Sequence, residues 1–327
     1  MKLCYPTFYK SFVCSASECK DTCCKFWQVE LDSNSKARYK SLIKDGNDVG
    51  YALKKGISGN SFKNIGNSCY FLNNCGLCNL YSMINHDGLP RTCRLYPRFI
   101  NNFGGYEERG LSFSCEVSAK IISNNKLVLV TEENNEPITE YTNVDAETFN
   151  TVKAIRDKIL NYIDGYNGSL EELVNILLNY SKTVEEYINA DKFNLAINAE
   201  FNNILDDSCF LYDTNLKRIV IKKHLKNKIL RDNWKEILNN ALTNEPSYSL
   251  ETFKIWASYF IYRYLIKASF TKEIYKTITS SIISYMVISS IDFEFINAAQ
   301  LYSKEVEHNT SNINKLFKFE FNKYVEK

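Results

Sequence analysis

Ten of the eleven cysteines lie in the first 115 residues, and four of them crowd into eleven positions, Cys14-SASE-Cys19-KDT-Cys23-Cys24. Cys69, Cys78, Cys93 and Cys115 follow, with Cys75 among them and Cys4 ahead, and only Cys209 is remote. Three arrangements can use sulfur at that density. A disulfide framework suits small secreted domains with too little core to fold alone. This chain has 327 residues, an odd number of cysteines and a start, MKLCYPTFYKSFVC, without the apolar run of a secretion signal. Adjacent residues such as Cys23 and Cys24 seldom bridge, because a disulfide needs separated Cα atoms and facing side chains. Burial as small hydrophobes suits Cys209 and Cys4, but not ten cysteines in 115 residues followed by one in 212. Metal binding explains the crowding. Zinc and iron–sulfur clusters both take thiolates. Only Cys75-GL-Cys78 has the spacing of a zinc pair. The crowded upstream group leans towards a larger cluster with several soft corners, and the spacing leaves both open. The Cys-x3-Cys-x2-Cys pattern of radical enzymes is absent, since Phe26 stands where its third cysteine would fall.

A net charge of +2 with no basic block argues against nucleic acid as a partner. No run of about 18 apolar residues occurs. The nearest, Ile282 to Ile291, is short and laced with serine. The expectation is a cytoplasmic protein with no membrane partner.

Ten of the twelve glycines precede residue 111 and none follows Gly168, while Pro246 is the one proline after Pro137. Without breakers, residues 169–327 read as helix. Ser169-Leu-Glu-Glu172 has the form of a capping box, and Ser249 opens a second helix after Pro246. Asp206 to Asp213 and Thr243 to Ser249 read as turns. Earlier, Gly104-Gly105 between apolar-alternating segments predicts a hairpin, and Ser114 is expected to cap a short helix. The polar segment TEENNEPITE closes this region. The expected fold is α+β, mainly α: a Cys-rich, metal-binding N-terminal domain over residues 1–140, followed by an all-helical domain over residues 141–327.

The block Cys14-x4-Cys19-x3-Cys23-Cys24 followed by Trp27 resembles the N-terminal signature of the flagellin lysine N-methylase family. So do Cys69-YFLNNCGL-Cys78-NLY, Leu89-Pro-Arg-Thr-Cys93-Arg-Leu-Tyr-Pro97-Arg98 and Leu111-SFS-Cys115-EV. A broader relative is the zinc- or iron-chelating family named for its CxxCxxCC motif. Leu301-YSKEVEHNTSNI is similar to a late helical segment of the methylases. The resemblance implies methyl transfer from S-adenosylmethionine to lysine side chains of flagellin, which would be the protein partner. It also implies a thiolate-bound iron–sulfur cluster, 4Fe-4S ahead of zinc, with Cys14, Cys19, Cys23, Cys24, Cys69, Cys78, Cys93 and Cys115 as the candidate ligands. Cys75 sits off that eight-cysteine pattern. No glycine-rich nucleotide loop marks where the methyl donor binds.

Nine of the forty Lys and Arg residues are arginine, yet Arg91, Arg94, Arg98 and Arg109 fall within nineteen residues beside Cys93. They can offset thiolate charge. Arg94 or Arg98 can instead grip the carboxylate of an amino-acid-bearing donor, because the guanidinium fork matches it. Lysine methylation needs a neutral amine, so the site must desolvate the amine or supply a base. Of three histidines, His86 reads as exposed and His224, in KKHLKNK, as a solvated face. His308, after Glu307 in the methylase-like segment, is the candidate base together with Glu307, the alternative being a helix-end histidine facing the dipole. Tyr259 and Tyr262 share a helix face as core or as a lysine-lining cage. The expected reaction centre is an enclosed pocket between the two domains, with Arg94 or Arg98 on one wall and His308 or Glu307 on the other. Two other functions compete: a non-enzymatic zinc- or iron-binding scaffold, and an electron-transfer or redox-sensing protein.

Overall fold

The computed structural model describes residues 1–133, 144–202, 210–321 and 323. The chain begins with strand β1 (Lys2–Pro6), which runs into the middle of a sheet. Helices α1 (Ser33–Asp45) and α2 (Asp48–Gly56) follow, each opened by a side-chain cap, Asp32 accepting from the Ser35 N–H and Asn47 from the Gly50 N–H. Two short hairpins come next, β2 (Ile57–Ser58) with β3 (Ser61–Phe62) and β4 (Asn64–Ile65) with β5 (Ser68–Cys69). Then come helices α3 (Asn79–Gly88) and α4 (Arg91–Leu95). β6 (Arg98–Asn102) and β7 (Tyr106–Leu111) form the hairpin that Gly104-Gly105 predicts. Its turn needs Gly104 at φ +79°, where a side chain would be strained. Helix α5 (Glu116–Ser123) and strand β8 (Leu129–Glu133) complete the first part. The four long strands order as β6-β7-β1-β8, with β1 parallel to β7 and antiparallel to β8.

From residue 146 every element among the described residues is helical. α6 (Ala146–Gly165) and α7 (Leu170–Asn189) come first, with Ser169 capping α7 through the Glu172 N–H as its capping box predicts. α8 (Phe193–Asn198), α9 (Thr214–His224) and α10 (Trp234–Ala241) are followed by α11 (Leu250–Tyr264), which Ser249 caps. α12 (Ala268–Thr271), α13 (Ile274–Ser290), α14 (Phe295–Tyr302) and α15 (Thr310–Phe317) close the chain. The mainly helical α+β architecture is as the distribution of glycine and proline implies.

α13 is the central rod, buried along almost its whole length. Several of its hydroxyls bond within the core: Ser284 donates to the Ser281 carbonyl and Ser290 to the Met286 carbonyl, while the Trp256 indole donates to Ser284. Its serine-laced Ile282–Ile291 segment is therefore bundle core. No helix among the described residues is long and apolar enough to cross a membrane.

Apolar side chains gather in two clusters. The smaller one holds Val29, Leu31, Tyr39, Leu53, Phe62, Phe71, Leu80 and Leu89, with Cys24, Cys78 and Cys93 packed on it and Cys69 inside. The larger runs from Leu3 on β1 through Phe113 and the helices to Phe321, so the four-stranded sheet shares its core with the helical bundle. The expected boundary near residue 140 lies outside the described residues, as does Cys209.

Two local readings need correction. Ser114 does not cap α5: Cys115 holds the N-cap position without a side-chain bond, and the Ser114 hydroxyl turns to Ser112. His224 is not on a solvated face. It is buried, with Nδ1 on the Val220 carbonyl (2.9 Å) and Nε2 on the Tyr302 hydroxyl (3.0 Å), and burial lowers its pKa to about 4.

Candidate active site

The two cysteine blocks meet in space. The Cys24 carbonyl accepts the Cys69 N–H at 2.8 Å, and Lys25 bridges Ser68, so the upstream loop pairs with the hairpin that carries Cys69. Further down that loop, the Lys20 N–H reaches Glu116, beside Cys115. None of the ten described cysteines forms a disulfide. Burial raises the Cys93 thiol, and Cys24, Cys69 and Cys78 raise it further. Burial likewise raises Cys69, to about 12, and Cys78, each with help from Cys24. Cys115 is raised by burial, with Cys19 and Cys14 as its thiol neighbours. Cys23 donates its S–H to Cys24, which raises the first thiol and lowers the second. Cys75 is exposed. Among the described residues no group of three or more His, Cys, Asp or Glu side chains is arranged to hold a metal ion. The donor chemistry still fits a soft metal. Cys24, Cys69, Cys78 and Cys93 lie close enough to influence one another's ionisation, and four such sulfurs are the donor set a thiophilic centre takes.

The loop between the cysteines is pinned by the end of the chain. Asp21 takes an ion pair from Lys304 at 2.7 Å, another from Arg231 at 2.6 Å and a hydrogen bond from Gln300 at 3.0 Å. Burial pushes the Asp21 carboxyl up, but Lys304 and Arg231 outweigh it and hold it below the usual range. The lysine is more deeply buried, and there burial wins over Asp21 and lowers its pKa. Arg231 also lies over the Phe26 ring, 4.6 Å from its centroid.

Between α14 and α15 the chain makes a π-helical turn, Ser303–Glu307, of a kind often found at functional sites. Its wide radius sends successive side chains to different neighbours. Lys304 goes to Asp21. Glu305 accepts the Leu230 N–H at 3.0 Å. Glu307 is fully enclosed, accepting from Tyr264 (2.7 Å), Tyr259 (2.8 Å) and Ser303, with Arg263 at 3.4 Å. Tyr259 and Tyr262 are core residues, and the Tyr259 hydroxyl serves Glu307. His308 packs its ring on Trp27 at 5.0 Å and edge-on to Tyr96 at 5.6 Å. Burial lowers its pKa to about 3, with Arg263, Lys304 and Arg231 adding to the effect, so it is neutral near pH 7. His86, as read from its turn, is exposed.

Residues from both ends of the chain line one cleft of about 480 Å³. Trp27, Tyr96 and His308 make an aromatic wall; Arg98, Arg91 and Arg263 supply positive charge; Glu30 and Asp32 lie on the rim. Arg98 lies over Phe12 at 4.9 Å and Tyr9 at 5.7 Å and forms no ion pair with a described carboxylate. Arg263 is held by Glu307 and by the Ser112 hydroxyl at 2.9 Å. The cleft thus brings Arg98 and His308 together. Arg94 and Glu307 do not line it. It is open on one side rather than enclosed. Trp27, Tyr96, Arg263 and Asp21 were not singled out as site residues from the sequence. Trp27 and Tyr96 lie inside the cysteine blocks, which was the available signal.

The cleft is lined by aromatic rings and arginines and is built where the cysteine-bearing loop meets the helical bundle. Among curated proteins, the chain is 26% identical over 209 residues to a protein named lysine-N-methylase from Salmonella typhimurium, covering 57% of this chain and 48% of that one. The same figures hold for the lysine-N-methylase of Salmonella choleraesuis. It is 29% identical over 134 residues to the flagellar biosynthetic protein FliU of Salmonella muenchen, covering 36% of this chain and 75% of that one. The chain is thus similar to proteins named lysine-N-methylase. It spans about half the length of the lysine-N-methylases it matches. No family model and no solved structure matches it.

Proposed function

We propose that this protein is a protein-lysine N-methyltransferase that uses S-adenosylmethionine and acts on flagellin. The observation that carries the reading is the meeting of Arg98 and His308 in one cleft of about 480 Å³, a size suited to a small cofactor. The names of the relatives support the activity, and the FliU name supports a flagellar substrate.

In this reading Arg98 takes the donor's carboxylate, because its guanidinium lies over two aromatic rings and pairs with no described carboxylate. Trp27 and Tyr96 offer faces for the adenine. Transfer forms a C–N bond as the methyl–sulfur bond breaks, and the thioether leaves. The amine must first lose its proton. Sulfonium and ammonium are both cations, and a charged imidazole would repel them. Burial keeps His308 neutral, so it presents a lone pair instead. Its low basicity makes it a conduit for the proton rather than its resting place. Glu307 acts indirectly, by fixing Arg263 and Tyr259.

An iron–sulfur cluster, if bound, would be held by Cys24, Cys69, Cys78 and Cys93, and would supply a compact charge that staples the loops around the cleft. Cys14, Cys19, Cys23 and Cys115 complete the candidate ligand set. Calorimetric titration with S-adenosylmethionine tests the donor site: wild type binds, and Arg98→Ala weakens binding by about 10- to 100-fold, the equivalent of about 1.5–3 kcal/mol for a charged hydrogen bond. Equal affinity in both would remove Arg98 from the site.

A further inference from the structure

We propose that Glu305 is the final acceptor of the lysine proton, reached from the cleft through the His308 ring and one water in the small cavity behind it. The inference rests on the methyl-transfer reading and deepens it.

Behind the aromatic wall lies a second cavity of about 10 Å³, room for about one water. His308, Trp27 and Tyr96 line both cavities, so they are the partition between them. Glu305 lines only the inner one. Its side chain is wholly buried, and Oε2 accepts the Leu230 N–H. Oε1 is buried with no hydrogen-bond partner among the described residues, and Arg231 Nε stands off at 3.9 Å. An oxygen left bare inside a protein costs free energy unless it has work to do or a water to bind. Glu305 and His308, three positions apart at the end of the helical turn, share a face and line the same cavity.

The groups around Glu305 leave Oε1 without a hydrogen bond: Lys304 is committed to Asp21, Arg231 pairs closely with Asp21 and only loosely with Oε1, at 3.9 Å, while lying over the Phe26 ring, Cys23 and Lys25 line the same cavity, and the Asn312 amide on α15 donates to the backbone carbonyl of Glu305. Neither ring nitrogen of His308 bonds a described residue, so one can face each cavity. The proton leaves the ammonium for the bare ring nitrogen. The opposite ring N–H gives its proton to the water, which passes one to Oε1. The freed lone pair attacks the methyl group of the sulfonium donor, and the C–S electrons leave with the thioether. Burial brings Glu305 to about 7, basic enough to hold the proton between turnovers and acidic enough to release it. Glu305 acts through His308 and is a positioning and relay residue.

The test is the pH profile of methyl transfer in the full-length protein. Wild type should lose rate as pH falls below about 7. Glu305→Gln should fold, bind S-adenosylmethionine as wild type does, and transfer about 100-fold more slowly with that acid limb gone. Glu305→Asp should recover the limb at a reduced rate. A wild-type rate and profile in Glu305→Gln overturns the relay. If Glu305→Gln does not fold, Glu305→Asp decides: a shifted profile supports the relay, and an identical one overturns it. Failure of wild type to transfer any methyl group overturns the functional reading and the relay together, whereas transfer with unchanged profiles in the variants overturns the relay alone.

Discussion

Asp21, in the middle of the Cys19–Cys23 loop, is joined to Lys304 near the end of the chain by a 2.7 Å ion pair. That contact, with Arg231 and Gln300 on the same carboxylate, sets the cysteine loop against the helices.

Asp21→Asn is expected to lower stability by about 1–3 kcal/mol, because it leaves Lys304 largely buried without a counter-charge. The folded carboxyl titrates below its unfolded value, so its contribution is complete above about pH 3.9 and is lost as the pH falls through the folded pKa. Urea unfolding of wild type and variant should therefore converge in strong acid. A constant gap down to pH 2 would argue against the clamp.

Two histidines, His224 buried and His308 half-buried, make stability fall at milder pH. His224 and His308 stay neutral in the fold down to about 4 and about 3, while the unfolded chain binds their protons below about 6.5. The folded state thus loses stability as the pH drops from 6.5 towards 4, at up to ~1.4 kcal/mol per unit per proton. Replacing His224 with Gln should flatten that slope by about one proton, as read from urea midpoints.

Cys93→Ser is expected to lower the metal content of the purified protein and to loosen residues 1–120 more than the helices, while Cys75→Ser changes neither. Cys93 lies among Cys24, Cys69 and Cys78, whereas Cys75 is exposed. Elemental analysis with hydrogen exchange checks both. Unchanged metal in Cys93→Ser would remove it from the ligand set.

What could be read in advance was local. The Gly104-Gly105 hairpin, the Ser169 and Ser249 caps and the glycine-free helical half are fixed by neighbours a few residues away. His224 was misread from the lysines around it. Its true signal is the spacing from Leu216 and Val220, which continues an apolar stripe at intervals of four. The Asp21 clamp and the Glu305 cavity could not be read, because each joins residues far apart in the chain and depends on the turn at Ser303–Glu307. Arg98 is legible in the crowding of arginines beside Cys93, and His308 only through the resemblance to the methylases.

The most direct measurement is mass spectrometry of flagellin incubated with the protein and isotopically labelled S-adenosylmethionine. Labelled methyl-lysine should form with wild type and fall by about 100-fold or more with Arg98→Ala, while Arg218→Ala, on α9 and away from the cleft, should match wild type. Equal labelling by wild type and Arg98→Ala, or no labelling at all, would contradict the assignment of the cleft as the site of methyl transfer.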